Sequence, residues 1–161
     1  MIQMTRRYRF SASHRLHVPS LGDEKNAELF GKCNNPFGHG HNYVLSVTVA
    51  GPIDEQTGLV VPIRSLDRLV ETKVLDQLRH RNLNVDVPQF AELVPTTENL
   101  ALVIADLLER EWAESFPADS QARLWRVHVQ ETDRNAFEVL LDHPQRRPFV
   151  IRNQERAAVH V

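Results

Sequence analysis

Apolar and polar positions alternate over residues 4–14. Tyr8, Phe10, Ala12 and His14 share one face, while Arg7, Arg9, Ser11 and Ser13 share the other. A period of two predicts a half-buried strand. The alternation returns over residues 39–49, where Tyr43, Leu45, Val47 and Val49 read as inward and Asn42, Ser46 and Thr48 as outward. The stretch between these strands reads as a long loop, and Gly51 to Gly58 as a turn region. The period then changes. Pro62 suits a first helical position, and Ile63, Leu66, Leu69, Val70, Val74 and Leu78 recur at helical spacing. A second helix opens at Thr96-Thr97-Glu98 with a threonine placed to cap, followed by the stripe Leu100, Val103, Ile104, Leu107 and Leu108. Two further strands are predicted, 124–132 and 135–141, joined across Asp133-Arg134-Asn135. The order strand, strand, helix, helix, strand, strand predicts an α+β fold, an antiparallel sheet with helices on one face.

Composition narrows the class. The 161 residues suit one domain, and 42% hydrophobic with 25% charged residues is the balance of a soluble globular chain. A net charge of −2 gives no electrostatic reason to expect a nucleic-acid partner. The basic start, Arg6-Arg7-Tyr8-Arg9, is not followed by an apolar stretch long enough for a signal peptide or membrane span. The expectation is therefore a cytoplasmic protein with no membrane partner. The single cysteine, Cys33, excludes an intrachain disulfide and suits a reducing compartment. From Asp142 onward prolines and charges break the pattern, so 142–161 is read as a C-terminal extension: a tail, an edge strand or a subunit contact.

The chemistry concentrates at Gly38-His39-Gly40-His41. Histidines at i and i+2 on a strand point to the same face, with Cα atoms roughly 6–7 Å apart. Their parity is that of Tyr43 and Leu45. His14 occupies the inward parity at the C-terminal end of the first strand, and antiparallel pairing would lay it beside His39 and His41. Three imidazoles with a fourth position open describe a catalytic zinc site. Zinc is favoured over copper or iron because no carboxylate ligand is evident. A lone histidine such as His14 is more often a satisfied core residue; the pair with a matching third favours metal.

Three more residues carry two readings each. Cys33 lies six residues before His39: either an inert buried thiol, or a thiolate made available as base or nucleophile by a nearby cation. Glu131 shares the parity of Trp125, Val127 and Val129, and a carboxylate on an apolar face needs a partner. It either reaches solvent or an arginine at the strand end, or grips a ligand with two adjacent N–H donors. His80 closes the first helical segment, as a residue favoured by the helix dipole or as a proton-transfer group.

Together these residues resemble the 6-pyruvoyltetrahydropterin synthase family. The matching motifs are Phe10-Ser-Ala-Ser-His14, Cys33-Asn-Asn-Pro-Phe-Gly-His39-Gly-His41-Asn-Tyr43, His80-Arg-Asn-Leu-Asn84, Thr96-Thr-Glu-Asn99 and Glu131-Thr-Asp133, in order and over Phe10 to about Leu141. The resemblance implies a single tunnelling-fold (T-fold) domain over 1–141, with a four-stranded antiparallel sheet and two helices on one face. It implies an oligomeric barrel, a homohexamer of two stacked trimers with active sites between subunits. The implied substrate is 7,8-dihydroneopterin triphosphate, converted to 6-pyruvoyltetrahydropterin with loss of triphosphate. Carried over by position, His14, His39 and His41 hold Zn2+ and Cys33 is the proton-abstracting thiolate. His80 belongs to the second proton relay, Glu131 anchors the pterin ring, and Thr96 and Thr97 lie along the pterin pocket.

Two departures stand out. Arg79 occupies the place where the family usually has an aspartate beside the relay histidine, and arginine offers no acceptor. Asp76, four residues before His80, shares its face if the helix continues, and is the candidate substitute. Pro62 and Ser65 stand where Asn or Asp is more usual. Two alternatives remain: a 6-carboxytetrahydropterin synthase of deazapurine biosynthesis, identified as the branch with a shorter step between cysteine and histidine, or a pterin-binding homologue impaired by Arg79.

Overall fold

The computed structural model describes residues 1–117 and 120–141; the expected extension 142–161 lies outside the described residues. Two long strands dominate it. β1 (Ile2–His14) and β2 (His39–Gly51) pair antiparallel along their whole length, from Ile2 opposite Gly51 to His14 opposite His39. α1 (Gly22–Phe30) lies between them. α2 (Ile63–Val70) runs on through a π turn (Glu71–Leu75) into the short α3 (Asp76–Leu78). β3 (Arg81–Asn82), the single turn α4 (Leu83–Asp86), the long α5 (Thr97–Ser115), β4 (Arg123–Gln130) and β5 (Ala136–Leu140) complete the chain. The sheet order is β3-β1-β2-β4-β5, antiparallel except for the β1–β3 pair.

The core lies between one face of this sheet and the helices. Tyr43, Leu45, Val47 and Val49 of β2 are fully buried, as the alternation predicts, and meet Leu66, Val70, Leu100 and Ile104 in one apolar cluster. Burying an aliphatic side chain of this size is worth about 1.5–3 kcal/mol, so the sheet register is strongly specified: a one-residue slip would turn the whole row away from the helices.

Several expectations need correction. The sheet has five strands, not four, because β3 adds two residues to the edge of β1. The loop predicted before His39 contains α1, whose sole buried residue is Asn26; with no apolar stripe, it left no periodic signal. Asn26 holds that segment through bonds to the Val18 N–H and to the Val18 and Gly22 carbonyls. Pro62 precedes α2 as its N-cap. In β4 the register against β2 shifts between Thr48 and Val49, so Thr48 pairs with Arg126 and Val49 with Leu124. The bulge falls at Trp125; Leu124 takes the core position that strict alternation assigned to Trp125. Ser46 and Thr48, expected outward, keep the parity opposite to Val47 and Val49 but are nonetheless buried, and Thr48 shares a 2.9 Å hydrogen bond with the Thr5 hydroxyl.

Candidate metal centre

The β1–β2 register delivers His14 directly opposite His39, with His41 opposite Ala12. The three imidazoles stand edge to face, ring centroids 4.7, 4.8 and 5.1 Å apart. Their candidate ligand nitrogens all lie within 4.8 Å of one another. The His14 Nε2 and His39 Nε2 atoms are 3.3 Å apart.

These residues fit a metal ion on three counts. His14 Nδ1 is 2.8 Å from the Pro95 carbonyl, which can only accept; Nδ1 therefore carries the proton, and the Nε2 lone pair points at the cluster. Burial, and then the charge of His41, lowers the pKa of His39; burial also lowers that of His14. Both rings are thus held in the neutral form that binds metal. His39 Nδ1 and His41 Nε2 are buried without a hydrogen-bond partner, a costly arrangement in a purely structural cluster.

Glu131 lies just past the end of β4, its N–H bonded to the Asn135 carbonyl. Its Oε1 stands 3.7 Å from His14 Nε2 and 3.6 Å from His41 Nε2, and accepts a 2.6 Å bond from the Thr97 hydroxyl. A carboxylate is thus at hand beside the histidines, contrary to the expectation of none, and the case for zinc from the donor set is correspondingly narrower. Among the described residues no arginine pairs with Glu131, whose side chain is only 14% exposed. Thr97, buried in the first turn of α5, positions the carboxylate, whereas the Thr96 hydroxyl is spent on capping α5 through the Asn99 N–H.

Cys33 sits on a one-turn 3-10 segment (Gly31–Asn34) beside the exit of β1. Its carbonyl accepts from the Leu16 N–H at 2.8 Å, while Arg15 Nε donates to the Asn34 carbonyl and the Asn34 amide donates to the Leu16 carbonyl. Burial and the Glu131 charge raise the thiol's pKa, so a thiolate there needs a compensating positive charge. Asn84 fastens the other side of the same segment, bonding both the N–H and the carbonyl of Arg15 at 2.7 and 2.9 Å. Asn34, Asn84 and the Pro95 carbonyl were not singled out from sequence. Asn34 and Asn84 lie inside the quoted motifs, but a main-chain carbonyl carries no sequence signal.

His80 does not join this cluster within one chain. Its Nδ1 meets the Ser11 hydroxyl at 3.1 Å, on the face of β1 opposite to that of His14. The helical premise for Asp76 fails: α3 ends at Leu78, Arg79 is extended, and His80 adopts a left-handed φ of 59°. Asp76 and His80 therefore do not share a helix face. Arg79 instead donates two hydrogen bonds to Glu71.

Comparison with known proteins agrees with this geometry. The model of the family described as 6-pyruvoyl tetrahydropterin synthase matches residues 3–141. The chain is 48% identical over 133 residues to a human protein named 6-pyruvoyl tetrahydrobiopterin synthase, covering 83% of this chain and 87% of that one. A Drosophila melanogaster protein of the same name is 46% identical over 132 residues, covering 82% and 75%. The solved Caenorhabditis elegans 6-pyruvoyl tetrahydropterin synthase superposes with a TM-score of 0.77 at 40% identity, over 86% of this chain and 94% of that one. With the three histidines converging at the end of a shared sheet and the match spanning almost the whole described chain, this protein belongs to the 6-pyruvoyl tetrahydropterin synthase family.

Proposed function

We propose that this enzyme is a zinc-dependent lyase that converts 7,8-dihydroneopterin triphosphate to 6-pyruvoyltetrahydropterin with loss of triphosphate. The observation that carries the reading is the convergence of His14, His39 and His41 beside Glu131 in a chain 40% identical to a solved protein whose name bears that product. A 6-carboxytetrahydropterin product is not favoured by the named relatives.

The roles follow from the residues. His14, His39 and His41 would hold a divalent ion, which when bound would supply a Lewis acid and the positive charge that a thiolate at Cys33 needs. Glu131, held by Thr97, accepts hydrogen bonds from the 2-amino and N3–H edge of the pterin. Cys33, as thiolate, takes a proton from the substrate's side-chain carbon, and His80 serves the second proton transfer. Among the described residues no hydrogen bond joins His80 to Cys33 or to the histidine cluster. A homohexamer, a dimer of trimers with sites between subunits, would let the His80 of one copy serve another. A cytoplasmic location belongs to the same reading; no helix among the described residues is long and apolar enough to cross a membrane.

Incubation of the purified, metal-loaded protein with 7,8-dihydroneopterin triphosphate, followed by mass analysis, tests this. Triphosphate and 6-pyruvoyltetrahydropterin are expected, with about one zinc per chain. Acetaldehyde release would replace it with the carboxy-forming reaction. Tight pterin binding without phosphate release, unchanged in Cys33→Ala, would leave only a binding protein.

A further inference from the structure

The turn that carries His80 is built in an unusual way. The helix closes when the Arg79 N–H bonds the Leu75 carbonyl, and Arg79 then turns extended. Its guanidinium donates to both oxygens of Glu71 at 2.7 and 3.2 Å, so the side chain preceding His80 is committed to another partner. His80 follows with φ 59°, among the described residues the one non-glycine at positive φ. That conformation costs a residue with a Cβ about 1–2 kcal/mol, and such outliers persist where surrounding contacts over-determine them.

The contacts that do so come from β1. The His80 N–H bonds the Ser11 carbonyl at 2.7 Å, and His80 Nδ1 lies 3.1 Å from the Ser11 hydroxyl. The next residues, Arg81 and Asn82, pair with Ala12 and Ser13 as β3. Ser11 thus fixes both the backbone and the ring of His80. A cleft of about 570 Å³ opens beside them, lined among others by Ser13, Asn42 and Asn82. With Nδ1 taken, Nε2 is the nitrogen left to act. The charged neighbours in sequence do not orient the ring: Arg79 and Arg81 have no acceptor, Arg79 is paired with Glu71, and Asp76 lies before the break in the helix.

We propose that Ser11 is a positioning residue for His80: its hydroxyl accepts the Nδ1–H and so selects the tautomer whose Nε2 lone pair exchanges protons during the reaction. In this chain a serine on the neighbouring strand does what an aspartate adjacent in sequence would otherwise do. The inference rests on His80 being the proton-transfer residue of the proposed reaction.

The test uses the metal-loaded enzyme labelled with 15N-histidine. At neutral pH the neutral ring of His80, assigned by its loss in His80→Gln, should carry its proton on Nδ1. Ser11→Ala should shift the proton toward Nε2 and lower kcat about tenfold or more, with KM changed less than about twofold, because well-placed acid–base groups contribute about 10²–10⁴-fold. Ser11→Thr, which keeps the hydroxyl, should recover most of kcat. The double variant Ser11→Ala/His80→Gln should be no slower than His80→Gln alone. An unprotonated Nδ1 in the native enzyme overturns the inference even if Ser11→Ala fails to fold. So does native kcat in Ser11→Ala when His80→Gln is slow. Native turnover in His80→Gln would instead remove the catalytic reading of His80 itself.

Discussion

Gly38 and Gly40 flank His39 within one motif, yet the structure assigns them opposite sensitivities. Gly38 has φ 69°, and a Cβ built on it would lie 2.9 Å from the His14 carbonyl oxygen and 3.3 Å from the His14 carbonyl carbon. Ordinary contact begins near 3.4 Å, so the two strands would have to part by about half an ångström. The left-handed backbone alone costs an alanine about 1–2 kcal/mol. At about 2–4 °C per kcal/mol for a chain of this size, Gly38→Ala should lower the Tm by at least about 2–8 °C. The atom pushed belongs to the backbone of His14, a proposed metal ligand, so zinc affinity should fall about tenfold or more, the scale seen when a ligand's supporting contacts are lost. Gly40 has no positive φ, and its Cβ would meet only the Ala12 carbonyl oxygen at an unstrained 3.7 Å. Gly40→Ala should leave the Tm level or slightly raised, since glycine in a strand costs about 0.5–1 kcal/mol relative to alanine. Thermal melts and competitive zinc titration against a chelator measure both effects. Equal Tm and equal zinc affinity for the two variants would refute the strain argument.

Three other outcomes follow from the same site. Stripping the metal should lower the Tm by about 8–16 °C relative to protein in free zinc a thousandfold above its Kd, a linkage of about 4 kcal/mol; His14→Ala should abolish that difference in differential scanning calorimetry. Because burial depresses the folded-state pKa of His14 and His39 below the ordinary 6.5, the metal-free protein should keep its full stability above about pH 6.5 and lose it as pH falls toward the folded values. Urea midpoints between pH 7.5 and 5 should therefore decline less steeply in a His14→Gln/His39→Gln variant, and parallel declines would discount the burial argument. Asn84→Ala removes the partners of both the Arg15 N–H and the Arg15 carbonyl, and should cost about 1–3 kcal/mol in urea unfolding. A change below about 0.5 kcal/mol would mean that water replaces the amide without loss.

The features legible in sequence were those with a short period. Alternation over residues 4–14 and 39–49 placed Phe10, Ala12 and His14 on the same side as Tyr43 and Leu45, and the burial of all five agrees. A threonine before the second helix reads as a cap, and Thr96 caps it. What escaped had no period. α1 is held by a buried asparagine instead of an apolar stripe, and the bulge at Trp125 reverses parity at a point set by pairing with β2. β3 is too short to register as a strand, and helical spacing continues in sequence two residues past the actual end of α3 at Leu78, so it does not reveal that Asp76 and His80 stand on opposite sides of a break.

By itself the sequence determined which residue types were available and on which face of their own element each would stand, because side-chain parity is a property of one strand. It supplied three imidazoles, a thiol, a carboxylate and the family pattern that joins them. Only the tertiary structure decided what each of these touches: the Pro95 carbonyl on His14, the Thr97 hydroxyl on Glu131, the Ser11 hydroxyl on His80 and Glu71 on Arg79. The separations in sequence are 81, 34, 69 and 8 residues. Contacts at such distances depend on strand register and on where a helix ends, and packing of the whole core sets both.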